Sequence, residues 1–185
     1  MHIRSAPLAG VKLIEPHCFE DARGYFYESY SPSVTEALGC STPFVQENVS
    51  GSRRGVLRGL HYQLEPRAQG KLVRVTRGCV VDAVVDLRRG SPTFGRSYVT
   101  ELSETNRLRL WVPPGLAHGF CVVSEFAEVV YSVTCPYSPA HERTIRWDDP
   151  EPAIAWPNPP EGGFVLSDKD RAGVALRDAE INFSV

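Results

Sequence analysis

Short β-branched runs closed off by Gly, Pro or Ser recur along most of the chain, and they constrain its fold more than any other feature. Residues 11–14, 72–76, 80–87, 97–102, 109–112 and 127–133 are all of this kind, rich in Val, Thr, Leu and Tyr. Such residues suit a pleated, half-buried surface, and the punctuation between them suits turns. Only residues 33–38 and 169–177 read as helical, and both stretches are brief. An all-β chain with this spacing predicts an antiparallel sandwich or jelly-roll barrel, whose interior can hold a small ligand. With 185 residues there is enough chain for one sizeable core, so a single domain over residues 1–185 is expected. The Pro- and Gly-rich segment 150–163 reads as an irregular connection rather than a linker between domains.

Charge and cysteine usage narrow the function. A formal net charge of -2 offers no broad basic surface for nucleic acid. No apolar run approaches a membrane span, and Met1-His2-Ile3-Arg4-Ser5-Ala6-Pro7 lacks the apolar stretch of a signal peptide. A cytoplasmic protein that contacts neither membrane nor nucleic acid is therefore expected. Cys18, Cys40, Cys79, Cys121 and Cys135 are scattered singly, without a C-x-x-C pair. They are expected to be small buried hydrophobes, not a disulfide framework or a zinc knuckle.

Two motifs carry possible chemistry. The first is Arg58-Gly59-Leu60-His61-Tyr62-Gln63, followed after a short loop by Gly70-Lys71-Leu72-Val73-Arg74. Strict strand alternation sends Arg58 and Leu60 one way and Gly59 and His61 the other, so that His61 points inward. An inward histidine on its own is usually a hydrogen-bonded core residue. The second motif, Pro113-Pro114-Gly115-Leu116-Ala117-His118-Gly119-Phe120, builds a tight turn and delivers His118 onto the strand that follows. Its P-x-G-x-x-H form resembles the second motif of the cupin superfamily. Metal-binding cupins also carry an H-x-H pair and a Glu, because a divalent ion needs three or four convergent ligands. This chain has His61-Tyr62-Gln63 at the matching place, so no metal is expected.

A closer resemblance, running nearly end to end, is to the sugar-nucleotide epimerase branch of the cupins, the dTDP-4-dehydrorhamnose 3,5-epimerase family. It is carried by Asp21-Ala22-Arg23-Gly24-Tyr25-Phe26-Tyr27-Glu28-Ser29-Tyr30, Phe44-Val45-Gln46-Glu47-Asn48, the stretch from Gly55 to Gln63, Gln69-Gly70-Lys71-Leu72-Val73-Arg74, the stretch from Asp86 to Gly95, the stretch from Pro113 to Phe120, and Leu166-Ser167-Asp168-Lys169-Asp170. Each is weak alone, but their order and mutual spacing are specific. The resemblance implies a cupin-type jelly-roll barrel that acts on a dTDP-4-keto-6-deoxyhexose without any cofactor. Protons on C3 and C5 of such a sugar flank the C4 carbonyl, and removing one gives an enolate. The reaction then needs a base, an acid on the opposite face and a cation or donor at the enolate oxygen. By resemblance the base is His61, its aspartate partner Asp170, the acid Tyr131 and the cation Lys71. Asp168 rivals Asp170, since a two-residue alternation would turn both carboxylates to one side. The family motif ending in Lys-Asp favours Asp170.

Further roles are implied for the rest of the substrate. Arg23 and Arg58 are candidates for the diphosphate and nearby hydroxyls, since a guanidinium fork suits phosphate oxygens. Gln46 and Asn48 would supply neutral contacts, and His118 would support the region around Lys71. Tyr137 would stack on thymine, and Phe26 and Glu28 would address the nucleoside from a neighbouring subunit in a homodimer built through N-terminal strands. Two places depart from the family pattern. Val49-Ser50 follows Asn48 where many relatives have His-Ser, and Val129-Val130-Tyr131-Ser132 replaces a more common Phe-Leu-Tyr-Lys. They leave open an epimerase of C3 alone or C5 alone, since pocket shape decides which proton meets the base. A non-catalytic sugar-binding cupin is the competing reading outside the enzymes.

Overall fold

A computed structural model describes residues 1–185. It consists of β1 (His2–Ser5), β2 (Lys12–Glu15), β3 (Cys18–Asp21), β4 (Gly24–Tyr27), α1 (Pro32–Leu38), β5 (Gln46–Arg53), β6 (Leu57–Gln63), β7 (Lys71–Arg77), β8 (Cys79–Asp86), β9 (Ser97–Ser103), β10 (Arg109–Val112), β11 (Leu116–Val122), β12 (Phe126–Val133), β13 (Glu142–Thr144) and the single turn α2 (Asp168–Arg171). Two sheets form the body, one of six strands in the order β1-β2-β10-β7-β12-β5 and one of five in the order β13-β6-β11-β8-β9. The β3-β4 hairpin stands apart as a third, two-stranded sheet. Neighbouring strands within each sheet run antiparallel. No helix is long and apolar enough to cross a membrane.

Alternation along the strands sends one set of side chains between the sheets. There Leu13, Val73, Val75, Leu110 and Val129 of the six-stranded sheet pack against Val80, Val84, Leu102, Leu116 and Phe120 of the five-stranded one. The outer face of the five-stranded sheet is also apolar, and the C-terminal segment covers it: Leu176, Ala179 and Phe183 lie on Leu60, Tyr62, Val85, Leu87 and Ala117. On the other side of the molecule α1 buries Val34 and Leu38 against Ile14, Leu72 and Trp111. Each of those two side chains contributes roughly 1.5–3 kcal/mol by burial. Pro32 opens that helix and Gly39, at φ 72°, closes it by donating its N–H to Glu36.

Several expectations need correction. The strands β1, β3, β5 and β13 are not among the expected runs, and β5 is the instructive case. Its sequence Gln46-Glu47-Asn48-Val49-Ser50-Gly51-Ser52-Arg53 is polar apart from Val49 and Gly51, because one face meets solvent and the other lines a polar cavity. The predicted helix 169–177 is broken: α2 ends at Arg171, and Leu176–Asp178 forms a separate 3₁₀ turn. Gly173 lies between them so close to the chain that a Cβ there would stand 2.8 Å from Arg146 Cα. Of the cysteines only Cys121 is buried; Cys18, Cys40, Cys79 and Cys135 are partly exposed, and all are free thiols.

Strict alternation also fails on β6. Arg58 pairs with Phe120 and His61 with His118, so Gly59 and Leu60 together stand opposite Gly119 alone. That extra residue is a β-bulge, and it reverses the facing of everything after it. Arg58 and His61 therefore line the same cavity, while Leu60 joins the outer cluster. Glycine is required at the bulge because φ of Gly59 is +121° and a Cβ would sit 2.6 Å from Gly119 Cα.

Candidate active site

Between the two sheets, beyond the apolar core, lies a cavity of about 300 Å³. The six-stranded sheet supplies Gln46, Asn48 and Ser50 from β5, Lys71 from β7 and Tyr131 from β12. The five-stranded sheet supplies Arg58 and His61 from β6, His118 and Phe120 from β11, and Glu142 from β13. His61 and Tyr131 thus belong to opposite walls.

His61 donates from Nε2 to Asp170 Oδ1 at 2.7 Å. Asp170 is 3% exposed and lies in α2, where a capping box with Ser167 holds it: Ser167 Oγ donates to Oδ2 at 2.6 Å, and the Gly59 N–H donates to Oδ1 at 3.0 Å. Burial by itself raises the carboxyl pKa, but the hydrogen bonds from His61, Ser167 and Gly59 outweigh it and hold Asp170 well below the usual carboxylate range. Asp168 lies two residues away on the exposed side of the same turn, since a helical turn does not follow the two-residue alternation that made it a rival. Burial lowers the pKa of His61 from 6.5 in spite of the Asp170 hydrogen bond, so the imidazole is neutral at neutral pH. With Nε2–H committed to Asp170, Nδ1 is the nitrogen that can accept a proton.

Lys71 is buried and donates from Nζ to the carbonyl of His61 at 3.2 Å. Burial pulls its pKa down to about 8, with Glu142 and Asp82 pulling the other way. His118, which lines the cavity, donates from Nε2 to the fully buried Asp82 at Oδ2, 2.9 Å away. Burial raises the pKa of Tyr131, against the lowering influence of Arg58, so its phenol stays protonated. Arg58 is steadied by donating to Ser52 Oγ at 3.1 Å. No group of three or more His, Cys, Asp or Glu side chains is placed so that it could hold a metal ion.

Sequence reasoning did not single out the residues of the rim. Glu142 accepts from Lys169 Nζ at 2.8 Å and from the Tyr137 hydroxyl at 2.8 Å. Lys169 is adjacent in sequence to Asp170, a signal that was available. Glu142 had none, since only the pairing of β13 with β6 sets it opposite Gln63. Of the expected site residues, His61, Lys71, Tyr131, Arg58, Gln46, Asn48, His118 and Tyr137 line one cavity, and Asp170 stands behind His61. Arg23, Phe26 and Glu28 do not reach it. Arg23 pairs with Asp21 in the β3-β4 turn, Phe26 is 70% exposed, and Glu28 accepts from Ser31 Oγ at 2.8 Å.

Comparison with known proteins bears on this geometry. Residues 5–178 match the family model described as dTDP-4-dehydrorhamnose 3,5-epimerase. A dTDP-4-dehydrorhamnose 3,5-epimerase from Pseudomonas aeruginosa is 53% identical, over 92% of this chain and 93% of its own length. A crystal structure of dTDP-6-deoxy-D-glucose-3,5-epimerase from Legionella pneumophila, in complex with dTDP-4-keto-L-rhamnose, superposes with a TM-score of 0.92 at 44% identity, covering 97% of this chain and 94% of that one. The likeness extends more weakly to a 3'-monoepimerase from Streptomyces bikiniensis in complex with dTDP-quinovose, at a TM-score of 0.86 and 35% identity, covering 93% and 86%.

Proposed function

The chain belongs to the dTDP-4-dehydrorhamnose 3,5-epimerase family, an isomerase family with a cupin-like fold, and from that premise we propose that it inverts C3 and C5 of dTDP-4-dehydro-6-deoxy-D-glucose to give dTDP-4-dehydro-L-rhamnose. Nδ1 of His61 takes the C3 proton, and the C–H electron pair moves through the new C3–C4 double bond onto the C4 oxygen. The Lys71 ammonium stabilises that oxyanion, where a fixed charge in a water-poor cavity is worth far more than on a surface. The Tyr131 hydroxyl delivers a proton to C3 from the opposite face, and the C4 carbonyl re-forms. His61 is left protonated and Tyr131 deprotonated. Exchange with water resets both before the same sequence runs at C5. Asp170 holds the ring and stabilises the imidazolium while it lasts.

The observation that supports this reading most is the neutral His61 imidazole on one sheet, held by the ionised Asp170 of α2, and the protonated Tyr131 on the other, with the buried Lys71 lining the same cavity. A binding protein has no use for a base and an acid on opposite walls. Nucleotide contacts by Arg58, Gln46, Asn48 and Tyr137 belong to the same proposal. So does a homodimer in which Arg23, Phe26 and Glu28 of each hairpin serve the neighbouring cavity.

Incubation with the 4-keto sugar nucleotide in heavy water tests the chemistry. Product from the native protein should carry deuterium at both C3 and C5. His61→Asn, folded as judged by circular dichroism, should lose about 10²–10⁴-fold in exchange. Deuterium at a single carbon after long incubation would replace this reading with a mono-epimerase, and near-normal exchange by the His61→Asn protein would remove His61 as the base.

A further inference from the structure

The inner face of β5 carries a ladder of polar side chains, Gln46, Asn48, Ser50 and Ser52, and all but one have partners. Gln46 donates to Asn48 Oδ1 at 2.7 Å and accepts from the Tyr137 N–H at 3.1 Å. Ser52 Oγ accepts from Arg58. Ser50 lines the cavity, yet its hydroxyl is shut away from solvent and has no hydrogen-bond partner in the protein. A desolvated hydroxyl left unpaired is costly, and such groups persist where a ligand completes them.

Register places this hydroxyl. Asn48 pairs with Tyr131 and Ser50 with Val129, so Ser50 lies one inward step further along the strand than the acid, towards the apolar core that Val129 and Phe120 begin. We propose that Ser50 recognises the C2 hydroxyl of the sugar and makes the enzyme selective for 2-hydroxy over 2-deoxy 4-ketohexoses. This rests on reading the cavity as a 4-keto-6-deoxyhexose site. Such a sugar has two free hydroxyls, on C2 and C3. The C3 oxygen relocates when C3 inverts. The C2 oxygen does not, so a serine fixed on a sheet strand keeps its hydrogen bond through both inversions only with C2. The contact holds the ring in register while successive protons are presented to His61. A site built to bond a hydroxyl discriminates strongly against an analogue lacking it, because its own polar group is then left unpaired.

The test compares dTDP-4-dehydro-6-deoxy-D-glucose with its 2-deoxy and 3-deoxy counterparts, in native protein and in Ser50→Ala. Deuterium uptake at C5 serves as a readout common to all three. The native enzyme should prefer the full sugar over the 2-deoxy sugar by about 10²-fold in kcat/KM, and Ser50→Ala should shrink that ratio roughly tenfold or more, by equal loss on the full and 3-deoxy sugars, which both carry the C2 hydroxyl, and none on the 2-deoxy sugar. Preference over the 3-deoxy sugar should be unchanged. A ratio cancels any difference in the folded fraction. Equal 2-deoxy ratios in the two proteins, or a change confined to the 3-deoxy sugar, would overturn the assignment while leaving the epimerase intact. Absence of uptake from the full sugar by native protein would instead bring down the reading on which it rests.

Discussion

At His61 two influences oppose each other, and burial wins over the Asp170 hydrogen bond, so the pKa falls below its usual 6.5. The imidazole is protonated, and useless as a base, only below that lowered value. The acid limb of kcat/KM should therefore lie under pH 6.5. Lys71, pulled down to about 8, loses its charge as pH rises through that value, and the rate should fall with it. Tyr131 titrates on the far side of both, since burial raises its pKa. The expected profile is a bell, with the alkaline limb near 8 belonging to Lys71. Lys71→Arg keeps a cation at any accessible pH, so whatever activity it retains should lose that limb and keep the acid one. A native profile flat from pH 7 to 9.5, or a Lys71→Arg protein with the same alkaline limb, would show that the charge on Lys71 is not used. His61 and Lys71 were legible in sequence as candidates because each lies in a motif that carries the family resemblance. Their pKa values were not, because burial is a property of the neighbours.

At the scale of the element, the bulge in β6 decides which side chains meet. An isolated glycine inside a strand pattern is a known sign of a bulge, so Gly59 could have been read that way. Its direction required the pairing with β11. Two costs fall on Gly59→Ala: φ of +121°, and a Cβ 2.6 Å from Gly119 Cα where backbone leaves no room to yield. The expected loss in urea unfolding is about 2–4 kcal/mol. Gly39→Ala, at φ +72° with nothing within 4 Å, should cost only about 1–2 kcal/mol. Equal losses at the two sites would mean that the close approach of β6 to β11 carries no strain. In the same way α2 was expected as part of a longer helix, but its single turn suffices to aim Asp170, because a capping box and the Gly59 N–H fix the carboxylate from both sides.

For the molecule as a whole, the β3-β4 hairpin is the part that does not account for itself. Phe19, Tyr25 and Phe26 are 59%, 63% and 70% exposed, and a two-stranded hairpin is marginal alone. Arginines pin it to the barrel: Arg107 stacks on Tyr25 and donates to Glu20, and the buried Arg109 lies over the Tyr27 ring and donates to Ser29 just beyond the hairpin. A rigidly held, aromatic, uncovered surface fits burial against a second copy. Light scattering should give a particle of twice the chain mass, and Phe26→Asp should shift it towards monomer and raise KM for the nucleotide sugar. A fully active monomer would refute the dimer.

The sequence by itself determined the all-β class, the runs that became β2, β7 to β10 and β12, and the family, whose resemblance nominated His61, Lys71, Tyr131 and Asp170 as candidates. These rest on local period, residue type and motif spacing, all written along one dimension. Only the tertiary structure decided that Arg58 and His61 share a face, that the mostly polar β5 is a strand, that Glu142 and Lys169 close the rim, and that Ser50 has no partner. Each of those follows from pairing between segments far apart in the chain, where one inserted residue reverses a face, and no local pattern records the register.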